Sequence, residues 1–182
     1  MKRLAITTLV AVFALLAILG ASQPAVADDD EGKALRATLT GFEETPLTLS
    51  SPGTGRFRAR IHDHETMITF ELHYEGLEGT VQQAHIHLGR PAITGGIVLF
   101  LCTNLGNAPA TVPTPQACPA APATISGTLT AADVVAQAGQ GIAAAEFAEV
   151  VRAIRAGATY ANVHTTLQPG GEIGGQIGRH DH

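Results

Sequence analysis

The chain lacks tryptophan altogether, and only 4% of its residues are aromatic and 15% charged. Its 11 basic residues are outnumbered by 16 acidic ones, for a formal net charge of −5, and no basic run is interleaved with aromatics. That combination excludes a nucleic-acid partner. With 45% hydrophobic residues, it also excludes a disordered acidic chain. Familiar catalytic motifs are missing. There is no Gly-x-Ser-x-Gly, no His-Glu-x-x-His and no glycine-rich phosphate loop followed by Lys. The two cysteines, Cys102 and Cys118, are too far apart for a thioredoxin-like pair. No internal repeat is evident.

What is present begins with a leader. Lys2 and Arg3 precede an uncharged apolar run over residues 4–20, and Ala25-Val26-Ala27 precedes Asp28-Asp29-Asp30. This reads as a Sec-type signal peptide over residues 1–27, cleaved after Ala27. The alternative is an uncleaved anchor, but the run is marginal for spanning and the Ala-x-Ala site favours removal. No Cys follows the cleavage site, so no lipid anchor is expected, and cleavage leaves no membrane span. Residues 28–33 read as a disordered acidic start, 34–178 as one domain and 179–182 as a polar tail. The expected location is secreted or periplasmic. In such an oxidising compartment Cys102 and Cys118 are expected to pair. Closing a loop of about 15 residues contributes about 3 kcal/mol in the chain-entropy model. The Pro-, Ala- and Thr-rich segment between them is expected to be loose.

Within the domain, apolar residues alternate with polar ones over short runs. Leu35, Ala37 and Leu39 share one face; Phe57, Ala59 and Ile61 do so in the next run, with Arg56, Arg58 and Arg60 opposite. Ile68, Phe70, Leu72 and Tyr74 follow, with Glu71 placed to meet Arg58 or Arg60 across strands. About eight such strands separated by turn signals favour a two-sheet sandwich or a barrel. The expected fold class is all-β, an antiparallel two-sheet sandwich of Ig-like or superoxide-dismutase-like Greek-key type with one or two short inserted helices. Phe147, Val150, Val151 and Ile154, at i, i+3, i+4 and i+7, mark the clear helix, expected across one edge or end. A shorter one is expected over residues 134–138, after a Thr130–Asp133 cap.

Three strands carry the candidate chemistry. In Ala84-His85-Ile86-His87-Leu88-Gly89 both histidines lie opposite the apolar face, about 7 Å apart along the strand. Val81 shares their parity, so the alternation is imperfect and leaves room for a bulge. Tyr160-Ala161-Asn162-Val163-His164-Thr165 places Tyr160, Asn162 and His164 on its polar face. Glu172-Ile173-Gly174-Gly175-Gln176-Ile177 does the same with Glu172 and Gln176. His85, His87 and His164 are the candidate metal ligands, and imidazoles suit copper or zinc. Glu172, Asn162 and Gln176 are candidates for the shell that orients them. The plainer reading is a hydrogen-bonded polar layer. His62-Asp63-His64, His180-Asp181-His182 and the arginine row read as solvated surface, although the row would also suit an anion.

These segments resemble the CHRD domain, first named from chordin and found in exported bacterial proteins. The likeness rests on the three segments above, on Leu39-Thr40-Gly41 with Glu44-Thr45-Pro46, on Gly127-Thr128-Leu129-Thr130, and on Ile154-Arg155-Ala156-Gly157. It covers nearly the whole mature chain. Two departures stand out: Pro46-Leu47 where the family often has Pro-Pro-Val, and Gly174 where it usually has Arg. The resemblance implies an extracellular or periplasmic β-sandwich and implies no reaction. The His-x-His strand is also similar, over one tripeptide, to the copper-ligand strand of the copper/zinc superoxide dismutases. Two functions follow as expectations. The first is an exported non-enzymatic binding or structural module, its partner an envelope or extracellular protein or ligand. The second is a histidine-ligated copper or zinc metalloprotein, with redox activity open.

Overall fold

The computed structural model describes residues 34–179; the expectations for the signal peptide, the acidic start and most of the tail lie outside them. Nine strands form: β1 (Ala34–Thr40), β2 (Thr54–Ile61), β3 (Met67–Glu75), β4 (Val81–Leu88), β5 (Gly96–Thr103), β6 (Ala123–Thr130), β7 (Thr159–Thr165), β8 (Ile173–Gln176) and β9 (Gly178–Arg179). One helix, α1 (Phe147–Arg155), lies between β6 and β7.

All pairings are antiparallel. They make a single sheet in the order β5-β4-β7-β8-β1-β2-β3-β6, with β9 on β1. The fold is therefore all-β as expected, but it is a nearly closed barrel and not a two-sheet sandwich. Alternation cannot separate the two, because both bury one face of every strand. Closure depends on the end strands, which the segment between the cysteines joins. Gln116 Nε2 donates to Leu101 O on β5 (3.2 Å) and to Ser126 O on β6 (3.1 Å). The Thr103 N–H donates to Gln116 O at 2.9 Å.

That segment is accordingly held in place and not loose. Cys102 and Cys118 form a disulfide, their Cα atoms 5.1 Å apart. Asn104 Nδ2 donates to Val81 O and Cys118 O, and its Oδ1 accepts from the Cys118 N–H.

The barrel interior holds the apolar parity of each strand, including Leu39, Phe57, Ile68, Leu72, Ile86 and Val163. Phe147, Val150, Val151 and Ile154 of α1 join the same core, and Arg155 pairs with Glu65 in the β2–β3 turn. The shorter helix does not form. Two single 3-10 turns, Ala131–Asp133 and Ala138–Gln140, stand in its place. Between them Val134 and Val135 are both buried, and the Val135 N–H donates to Val98 O of β5 at 3.0 Å, a bond to the sheet in place of a helical one. Among the described residues no helix is long and apolar enough to cross a membrane.

Candidate functional site

The pairing of β4 with β7 builds the site. His85 lies opposite Asn162, Gln83 opposite His164 and His87 opposite Tyr160, with a register shift, the bulge for which the Val81 parity left room, between Val81 and Gln83. The polar face of β4 thus lies beside the polar face of β7, and His85, His87 and His164 come together. One ring nitrogen from each lies within 4.8 Å of the others. All three residues are buried, His85 completely.

Aromatic neighbours hold the rings. Tyr160 stacks on His87 with centroids 4.8 Å apart and planes 6° from parallel. Phe100 meets His85 edge-on at 4.6 Å.

Hydrogen bonds then fix the tautomers. His87 Nδ1 lies 2.9 Å from Gly95 O, and His164 Nδ1 lies 2.9 Å from Pro169 O. A carbonyl only accepts, so both Nδ1 atoms carry the proton, and in neutral rings both Nε2 atoms present lone pairs. His85 Nδ1, 3.2 Å from His164 Nε2, donates to it, which leaves His85 Nε2 bare. The Nε2 atoms of His85 and His87 make no hydrogen bond, although the Asn162 side chain lies near enough to His87 to favour its charged form. The Asn162 amide oxygen sits 3.1 Å from His164 Nε2, one acceptor against another. The layer therefore contains more lone pairs than protons to share.

The rings stay neutral for the same reason that they are dry. Burial, with the neighbouring His164 and His87, pushes His85 down to about 2. Burial, opposed by the Pro169 bond and reinforced by His87, brings His164 to about 4. His87 is lowered too, by burial above all. Neutral imidazoles are the form that binds metal.

Of the three orienting candidates only Asn162 belongs to this layer. Glu172 does not: it sits at the barrel end, where its carboxylate accepts from Ser51 Oγ (2.8 Å), Glu78 N (2.7 Å), Gly79 N (3.3 Å) and Thr165 Oγ1 (2.6 Å). Burial opposes its ionisation, but those bonds outweigh burial and leave its pKa below the ordinary value. Gln176 is equally distant in role, its Nε2 bonding Gly89 O and Gly157 O.

One member escaped the sequence reading. Glu44, in the turn after β1, is only 5% exposed, and its Oε1 has no hydrogen-bond partner. Its carboxyl interacts with the Asn162 side chain, and burial raises its pKa to about 7. Gly171 and Gly174 make the space, since a Cβ on either would come within 2.4 and 2.6 Å of its oxygens. Gly174 is the position where Arg was expected from the resemblance, so no cation from that position reaches Glu44. Its only sequence signal was an acid inside the Glu44-Thr45-Pro46 motif, in a turn where periodicity places nothing.

Compared with known proteins, the chain matches a family model described as CHRD domain over residues 35–177. That span contains Glu44, Asn162 and all three histidines. No curated protein matches the chain, and no solved structure does.

Proposed function

The chain belongs to the CHRD domain family, and from that premise we propose that it is an exported, non-enzymatic binding module whose ligand is a transition-metal cation, copper(II) or zinc. His85, His87 and His164 would hold it. The observation that carries this reading is the set of buried imidazole lone pairs without donors. Leaving such atoms unsatisfied is costly, and a cation satisfies several at once. With a cation bound, the His85 proton would stand on Nε2, freeing Nδ1 to ligate; its 3.2 Å from His164 Nε2 is close to the edge, about 3.3 Å, of a tetrahedron of nitrogens bound at 2.0–2.1 Å. Carbonyl partners on the Nδ1 atoms of His87 and His164 are the arrangement that orients metal-binding imidazoles. Burial of all three rings favours an enclosed cation over one open to substrate.

Calorimetric titration tests this. One equivalent of copper(II) should bind near neutral pH, with zinc weaker, and His164→Ala should weaken both at least tenfold. Equal, weak binding by the two proteins would leave the histidines as a hydrogen-bonded structural layer. Export rests on the leader over residues 1–27 and on the disulfide. Mass spectrometry of protein from the native host should find Asp28 first; an intact leader would refute export by this route.

A further inference from the structure

On the outer face of β1 and β2, away from the histidines, the molecule carries a second unexplained feature. Arg56, Arg58 and Arg60 are exposed along β2, and Arg36 is exposed on β1. Arg36 lies directly opposite Arg58. Like charges facing each other across strands are destabilising, and a chain with net charge −5 has acids available to relieve them. Glu71 lies opposite Arg58, yet among the described residues Arg36, Arg56 and Arg58 form no ion pair.

The surroundings are hydroxylic. Thr38, Thr69, Thr124 and Ser126 occupy the same face, at neighbouring register positions. Two shallow adjoining depressions run over it, one lined by Arg36, Arg58, Arg60 and Ser126, the other by Arg56, Arg58, His73 and Thr124; the Glu71 carboxylate lines both, one acid among four guanidinium groups. The large aromatics of these strands, Phe57 and Phe70, point into the core.

We propose that this arginine row is a binding site for a linear anionic polysaccharide, one carrying carboxylate or sulfate groups among its hydroxyls. The arginines stand two residues apart along β2, about 7 Å from one Cα to the next. They are spread along a line and do not converge, which suits a repeating polyanion better than a single phosphate. Hydroxyl side chains between the arginines match sugar hydroxyls. The half-exposed imidazole of His73 is the flat ring this face offers, Phe70 being buried, so nucleobases find no Phe, Tyr or Trp platform to stack on. Strands β1, β2 and β3 are paired on both sides, so an acidic peptide could not add as a further strand.

Heparin and polygalacturonate provide the sulfated and carboxylated probes, with chelator present so that the histidine layer plays no part. Either or both should bind at low salt. The double variant Arg36→Gln, Arg58→Gln should bind at least tenfold more weakly, and its salt dependence should flatten by about two in log–log slope, one for each guanidinium removed. Arg152→Gln on α1 should bind as the parent does. Both variants alter exposed side chains, and thermal melts would confirm that each is folded. Failure of both polysaccharides to bind, or unchanged affinity in the double variant, would overturn the proposal. So would single-stranded DNA of matched charge binding as tightly, which would mark the row as a site without preference for sugar.

Discussion

In chelator, the protein is expected to lose stability steeply as pH falls below about 6.5. The cause is the histidine layer. In the unfolded chain each imidazole takes up a proton near 6.5, whereas burial holds His164 at about 4, His85 at about 2 and His87 below its ordinary value. Over that window the unfolded state binds more protons, so stability rises with pH and is lost on acidification. His164 alone, displaced from 6.5 to about 4, corresponds to about 3 kcal/mol. Glu44 acts in the opposite sense. Its folded pKa of about 7 exceeds its unfolded 4.5, so the native state keeps a proton that the unfolded chain releases, and stability falls as pH rises through that interval. Three imidazoles outweigh one carboxyl, and the net slope remains a loss towards acid. Denaturant titrations at pH 7.5, 6.5 and 5.5 would read it, and a flat profile would show that the rings are not held neutral by the fold. Glu44→Gln should steepen the acid loss and raise stability at pH 8, because the variant no longer buries a carboxylate there.

The second large effect concerns the core. Phe70→Ala is expected to cost about 3–5 kcal/mol. Phe70 is 6% exposed, and its ring stacks on Phe57 at 6.4 Å. Its ring also occupies the space above Gly127, where a Cβ would lie 2.7 Å from Phe70 Cε1. The denaturation midpoint should fall with the slope unchanged. Gly127→Ala should itself destabilise the parent, and less so in the Phe70→Ala background, where the methyl group enters vacated space. That coupling is the signature of direct contact. A loss under about 1 kcal/mol for Phe70→Ala would place the ring outside the barrel's packed interior.

Much of this was readable along the chain. Alternation placed Leu35, Phe57, Ile68 and Val163 inward and put His85, His87 and His164 on faces opposite the core. The misplaced parity of Val81 announced the bulge, and the 147–154 spacing announced α1. What stayed hidden depended on contacts between distant segments. His85 and His164 are 79 residues apart, and nothing in either strand says that β4 pairs with β7. Glu172 shares a motif with the site but sits where the end of β7 and the 76–79 turn need an acceptor. Glu44 lies in a turn, where side-chain direction has no period. Sandwich and barrel share one strand pattern, and Gln116, bonded to both end strands, joins the seam.

The sequence by itself determined which way each strand residue faces, because successive side chains alternate by backbone geometry alone. Tertiary structure decided which faces meet, what covers the histidines and whether the sheet closes. Those outcomes depend on the burial and hydrogen bonding of segments far apart in the chain, which no local pattern encodes.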